Sequence, residues 1–110
     1  RYELRVDAEV GGTFTREELA SGVNLTLFAG PVTAQSRKLT DAVAAKNGTF
    51  HERWMSVQIF DPPAWLKTPG LEAARVTETA RLDKVIMEQE QAVNALRKTT
   101  PHTFTLKPAP

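Results

Sequence analysis

The sequence has no cysteine, only two histidines, and no apolar run long enough to cross a bilayer. The absence of cysteine excludes a disulfide framework, a cysteine-ligated zinc site and thiol catalysis. A net charge of +1 gives no strong attraction to nucleic acid. The composition, with 41% hydrophobic and 25% charged residues in 110, is typical of one small globular domain. We therefore expect a single soluble domain over residues 1–110, with no cofactor, no nucleic-acid partner and no membrane segment.

Motifs for catalysis or metal binding are also missing. The three serines, none of which stands in a G-x-S-x-G elbow, are Ser21, Ser36 and Ser56. His51 and His102 are the only imidazole bases, and His51 does not begin an H-E-x-x-H motif because residue 55 is Met. Gly11 and Gly12 lack the following Lys and the helix that a phosphate-binding loop requires. The sequence therefore assigns no catalytic residue and no metal ligand.

The first residues alternate between apolar and mostly charged side chains, which predicts a strand over residues 2–10 with one wet face. The apolar members are Tyr2, Leu4, Val6, Ala8 and Val10. Gly11–Gly12 then suits a tight turn, after which Thr13–Phe14 can pair back to complete a hairpin over residues 1–14. Because the chain begins inside this strand, we expect it to come from a longer polypeptide.

Residues 15–28 predict a short, well-specified connector. Thr15 and Glu18 have the spacing of a capping box, in which each side chain bonds the backbone N–H of the other residue. Gly22 supplies a helix stop, so the helix has only one or two turns. Val23–Phe28 is then expected to run extended.

The rest of the chain is predicted to be mainly helical. Residues 31–60 are predicted to be helical, with Pro31 at the start and Asn47–Gly48 ending a first helix near Lys46. Residues 49–60 are ambiguous, because Met55, Val57 and Ile59 also fit a strand, but a helix is favoured. Residues 61–70 form a stiff proline-rich loop. A long helix over 71–98 and a closing strand over 102–107 follow. One side of the long helix carries a mainly apolar stripe, which we expect to pack against the helix that begins at Pro31. The stripe consists of Leu82, Val85, Ile86, Gln89, Val93 and Leu96. The fold class expected is α+β, a small antiparallel sheet packed with two or three helices.

Four residues are candidates for ligand or domain contact: Asn24, Arg53, Trp54 and Trp65. The two tryptophans could line a binding groove, but tryptophans more often anchor a small core, and we favour that role here. Leu66 is expected to act as an anchor together with Trp65. Asn24 opens an N-x-T sequon, which matters only in a eukaryotic secretory setting.

The stretch "YELRVDAEVGGTFTREELASGVNL" resembles a segment near the C-terminus of bacterial SGNH (GDSL-type) hydrolases, which reads Y-x-L-x-x-D-G and then T-x-E-x-L-A-x-G-V-N-L. The matching residues are Tyr2, Leu4, Asp7, Thr15, Glu17 or Glu18, Leu19, Ala20, Gly22, Val23, Asn24 and Leu25. The family pattern continues in the same order through Pro31, Gln35, Lys46-Asn47 and "FHERW" at 50–54. Residues 2–54 contain the resemblance, and Ala8 departs from it where the family has a turn glycine.

The resemblance implies that this chain is the C-terminal part of an esterase-type hydrolase, whose substrates are acylated molecules, carbohydrates included. The family's G-D-S nucleophile block, its oxyanion-hole residues and its Asp-x-x-His pair have no counterpart here. The expected partner is therefore the catalytic domain of the same hydrolase, as part of the same polypeptide or as a separate chain. The family also implies a bacterial protein exported to the periplasm or the medium.

Three functional hypotheses follow. The first is a non-catalytic C-terminal subdomain of an SGNH-like hydrolase, which should leave apolar surface exposed for its catalytic domain. The second is an independent protein- or ligand-binding module that uses the helix stripe or the Trp54/Trp65 region. The third is a small hydrolase using His51 or His102, which requires a serine within hydrogen-bond reach of the histidine in a pocket.

Overall fold

A computed structural model describes all 110 residues and shows an α+β fold, as predicted from the sequence. The elements are β1 (Tyr2–Val6), β2 (Glu9–Phe14), α1 (Arg16–Ser21), a 3₁₀ turn (Leu25–Leu27), α2 (Pro31–Glu52), a π-helical turn (Arg53–Gln58), a second 3₁₀ turn (Ala64–Leu66), α3 (Pro69–Leu96) and β3 (Phe104–Pro108). No helix is both long and apolar enough to cross a membrane.

The chain divides into two compact units. The sheet unit comprises residues 1–38 and 98–110, and the helical unit comprises residues 39–97. The single domain over 1–110 stays a prediction. Each unit has a very small core of its own: the buried apolar side chains are Leu4 and Val6 in the sheet unit and Val57, Pro62 and Leu82 in the helical unit.

The sheet is antiparallel in the order β2-β1-β3. Leu4 pairs with Leu106 and Val6 with Phe104, so these four side chains share one face. The two residues on the central strand are buried, whereas those on β3 are about half exposed. The apolar face predicted for β1 is therefore present, and its β3 edge is uncovered.

The first hairpin differs from the prediction. The strand ends at Val6, and the turn is made by Asp7 and Ala8 instead of Gly11–Gly12. Asp7 takes the positive φ of 55° that the turn requires, and its carboxylate and backbone bond to Thr103. The two glycines lie inside β2 at a shift of register with β1, which is the usual place of a glycine bulge.

The connector after the hairpin begins as predicted. Thr15 Oγ1 accepts from the N–H of Glu18, and the Thr15 N–H donates to the Glu18 carboxylate. Gly22 ends α1 with a φ of 94°. The expected extended run is wrong in its middle, because Asn24 Oδ1 accepts from the N–H of Thr26 and starts the 3₁₀ turn of Leu25–Leu27.

Two helix boundaries also differ from the prediction. α2 does not end at Asn47–Gly48, because Gly48 keeps helical φ and the helix continues to Glu52 before entering the π-helical turn. α3 begins at Pro69, with Thr68 as its N-cap, because a proline at the first helical position loses no hydrogen bond.

The helical unit has two long elements joined by ion pairs. Lys46 binds Glu90, and Arg53 binds Asp83. From the first pair to the second, the position rises by seven residues on one element and falls by seven on the other. This is the pattern of two antiparallel helices. Leu82, at 2% exposure, is the most buried side chain of this unit. The stripe predicted on α3 is therefore its less exposed face.

Candidate functional site

The π-helical turn fixes Arg53 and turns Trp54 outward. The N–H of Ile59 donates to the carbonyl of Trp54 at 3.0 Å, which closes the wide i to i+5 ring of a π-helix. π-helical turns are rare in proteins, and those that occur often lie at functional sites. The guanidinium of Arg53 binds Asp83 and lies 5.6 Å from the centre of the Phe50 ring. The neighbouring indole of Trp54 is 54% exposed.

Apolar side chains are concentrated between residues 54 and 66, which we call the 54–66 segment. Six of its large side chains are exposed: Trp54, Met55, Ile59, Phe60, Trp65 and Leu66. Val57 and Pro62 of the same segment are buried. These two residues anchor the segment to the helical unit while the six larger side chains remain accessible.

Arg75 of α3 holds the 54–66 segment in place. Its Nη1 donates to the carbonyl of Val57 at 3.3 Å, and its Nη2 donates to the carbonyl of Phe60. The guanidinium also lies 6.0 Å from the centre of the Phe60 ring. Hydrogen bonds from a charged donor are stronger than neutral ones, so one side chain fixes both the end of the π-helical turn and the start of the loop.

The loop that presents Trp65 is closed by an ion pair. Lys67 Nζ lies 2.7 Å from Asp61 Oδ1, and the hydrogen bond from Lys67 holds the pKa of Asp61 below its usual value. Between these residues, Ala64–Leu66 forms one 3₁₀ turn, in which the Leu66 N–H donates to the carbonyl of Pro63. Trp65 projects from this turn with 77% of its surface exposed, the highest value of any aromatic residue in the chain.

The interpretation of the tryptophans as core anchors is wrong. Both indoles are more than half exposed. The core of the helical unit is instead built from smaller side chains that can fit beneath α3. Arg75 was not predicted from the sequence. It lies seven residues before Leu82, so extending the α3 stripe by one heptad towards the N-terminus would have placed Arg75 on the packed face.

Asn24 belongs to the sheet unit, whereas Arg53, Trp54 and Trp65 belong to the helical unit. It borders a groove of about 560 Å³, whose apolar lining is Val6, Val23, Leu25, Phe28, Val32 and Phe104. Asn24 Oδ1 accepts from both the N–H and the hydroxyl of Thr26, at 3.0 and 2.7 Å. The side-chain oxygen therefore shapes the turn, while the amide nitrogen makes no hydrogen bond within the chain.

The two histidines have different surroundings. His51 is exposed near the end of α2, whereas His102 Nδ1 lies 2.8 Å from Asp7 Oδ2 and its Nε2 lies 3.4 Å from Thr100 Oγ1. The pKa of Asp7 is lowered first by the N–H of Thr103 and then by His102. This cluster links the hairpin turn to the residues before β3. No group of three or more acidic or histidine side chains could hold a metal ion.

Comparison with known protein families, with curated proteins and with solved structures finds no match for this chain.

Proposed function

We propose that this chain is a non-catalytic C-terminal subdomain of an SGNH/GDSL-like hydrolase, an esterase acting on acylated substrates such as acylated carbohydrates, and that it supports or completes the catalytic domain. The motif similarity over residues 2–54 suggests the family. The observation that supports a docking role is the exposed apolar surface of the 54–66 segment.

The small number of buried apolar residues and the large number of exposed ones support the proposal that another domain covers the 54–66 segment. Only five apolar side chains are buried, Pro62 included, while sixteen large ones are exposed. Single exposed apolar residues are ordinary, but a concentration of two tryptophans, a phenylalanine and a methionine in thirteen residues is typical of an interface centre. Arg75 and the Asp61–Lys67 pair hold this segment in one conformation, which lowers the entropy lost on docking.

Neither histidine of this chain forms a hydrogen bond with a serine. His102 bonds to Asp7 and Thr100, and His51 has no hydrogen bond to a side chain that could act as a nucleophile. The proposal therefore assigns the chemistry to a catalytic domain and gives Arg53, Trp54 and Trp65 a contact role at most.

The first experiment is the intact mass of the native polypeptide, measured before any proteolysis, with sequencing of its peptides. The proposal expects a longer polypeptide, or a stably bound second chain, that contains an upstream G-D-S block and hydrolyses p-nitrophenyl acetate. A native product of these 110 residues that binds no such chain would overturn it.

A matched pair of variants then tests the docking surface in the longer polypeptide. Trp65→Ser should lower its melting temperature, because loss of an interface tryptophan costs about 2 kcal/mol or more. The same change should leave the 110-residue chain unaffected, since Trp65 touches little within it. Val76→Ser on the exposed face of α3 should change neither protein. Equal effects of the two variants on the longer polypeptide would contradict a docking role for Trp65.

The alternative function is an independent binding module that uses the Trp54/Trp65 region. The exposure of both tryptophans favours it, whereas the α3 stripe is partly occupied by contacts inside the helical unit. This alternative requires that the native product be the 110-residue chain. Sedimentation at increasing concentration would then show either a monomer, with the tryptophans free for another partner, or a symmetric dimer in which Trp65→Ser weakens association.

A further inference from the structure

The groove of the sheet unit is chemically unlike the 54–66 segment. None of the side chains that line it is charged. Its apolar wall is interrupted only by hydroxyl and amide groups, from Asn24, Thr26, Thr33 and Ser36. Its volume of about 560 Å³ lies in the range of small-molecule sites, roughly 300–1000 Å³. A lining of this kind selects an uncharged ligand, because a charged one would lose its hydration without gaining an ion pair.

Close packing shapes the wall of the groove. The Phe28 ring lies against Gly30, where an added Cβ would be 2.5 Å from a ring carbon, and against Gly11, where it would be 3.2 Å away. Only glycine leaves room for the ring at Gly30, which is itself buried. The backbone carbonyl of Phe28 also accepts a 2.6 Å hydrogen bond from the hydroxyl of Thr33. The aromatic wall is therefore set by contacts inside the sheet unit.

The polar groups at the groove specify one kind of ligand atom. The hydroxyls of Thr26 and Thr33 already donate, to Asn24 Oδ1 and to the carbonyl of Phe28. The Asn24 amide nitrogen is a donor that the chain does not use. A ligand that satisfies it must present a hydrogen-bond acceptor beside an apolar body, as the carbonyl of an ester or a neutral amide does.

We propose that this groove binds an uncharged small molecule with an apolar body and a carbonyl acceptor, of the ester or neutral-amide class, with the carbonyl at Asn24 Nδ2 and the apolar body against Phe28, Val32 and Phe104. This inference does not rest on the proposed function. It assigns binding and no reaction step, since no nucleophile and base meet at the groove.

The test is an NMR titration of the ¹⁵N-labelled 110-residue chain with methyl octanoate, octanoate and octylammonium, all kept below the concentrations at which they aggregate. Methyl octanoate should shift the amides of Thr26 and Thr33 saturably. It should also bind at least ten times more tightly than either charged analogue. Equal binding of the ester and the carboxylate, or no saturable shift at these amides, would overturn the proposal.

Two substitutions locate the site. Val32→Asp places a charge in the apolar wall at an exposed helical position and should weaken ester binding at least ten-fold, whereas Val76→Asp, on exposed helical surface outside the groove, should leave it unchanged. Asn24→Asp keeps a good N-cap for the 3₁₀ turn but replaces the donor with an anion, so it should also weaken binding while the fold persists. Unchanged ester affinity in Asn24→Asp would refute the assigned donor.

Discussion

The guanidinium of Arg75 donates to the backbone carbonyl of Phe60 and lies over the ring of the same residue. A second donor of Arg75 reaches the carbonyl of Val57. This arrangement binds the end of the π-helical turn to α3, and it is the reason why exposed aromatic residues can be held in a fixed arrangement on a unit with so small a core.

Arg75→Met should destabilise the helical unit. The substitution keeps most of the side chain's length but removes both donors, and hydrogen bonds from a charged donor contribute about 2 kcal/mol. We expect a loss of that order in the free energy of unfolding, measured by urea denaturation followed by circular dichroism. Amide exchange at Ile59 and Leu66 should accelerate as well, since both lie in the segment that Arg75 holds.

The control for this prediction is Arg81→Met. Arg81 lies on the same helix but pairs only with Glu78 one turn away on an exposed surface. Exposed pairs of this kind contribute little to stability. A change as large as that of Arg75→Met would show that the effect comes from the charge of α3 and not from the bonds to Val57 and Phe60.

Leu82→Ala should be among the most destabilising single changes in the helical unit. Leu82 is 2% exposed, and truncation of a buried leucine costs about 2–5 kcal/mol through lost burial and the cavity that remains. Urea unfolding of the variant measures this loss. Val76→Ala, at an exposed position of the same helix, should change the unfolding free energy little, and a similar cost for both would contradict the core assignment.

The hydrogen bonds of Asp7 to the Thr103 N–H and to His102 predict a dependence of stability on pH. The pKa of Asp7 is lowered in the folded state, so the stabilisation is present above the unfolded pKa of about 3.9 and is lost as the pH falls through the folded value. Melting temperatures of the native chain and Asp7→Asn, compared between pH 5 and pH 2.5, should converge at the acid end. Asparagine accepts positive φ and retains an acceptor for the Thr103 N–H, so it tests the charge alone. A difference that stays constant over this range would contradict the prediction.

The sequence predicted those features whose cause is local. The capping box of Thr15 and Glu18 needs only residues three positions apart, and the apolar face of β1 needs only alternation. The hairpin turn was misplaced because Asp7 is stabilised by Thr103 and His102, which are distant in sequence. Arg75 was missed for the same reason, since its partners lie fifteen or more residues away.

The candidate site shows the same limit. The sequence identifies Trp54 and Trp65 as notable, but their burial depends on which elements are available to cover them. In this chain α3 covers Val57 and leaves both indoles accessible. The groove at Asn24 was not predicted, because Val6 and Phe104 come together only when β3 pairs with β1, and Val32 of α2 lines the same groove.

The glycines at positions 48 and 22 provide a sharp test of the helix boundaries. Gly48 lies inside α2 with open space around its Cβ position, so Gly48→Ala should stabilise the chain by about 0.5–1 kcal/mol. Gly22 also has open space but holds a φ of 94°, which L side chains rarely adopt, so Gly22→Ala should destabilise the chain by roughly 1–3 kcal/mol through backbone strain alone. Thermal unfolding of both variants measures the two signs. If Asn47–Gly48 ended the helix, as its sequence suggests, alanine would destabilise the chain at both positions, and a loss of stability in Gly48→Ala would therefore refute a continuous α2 up to Glu52.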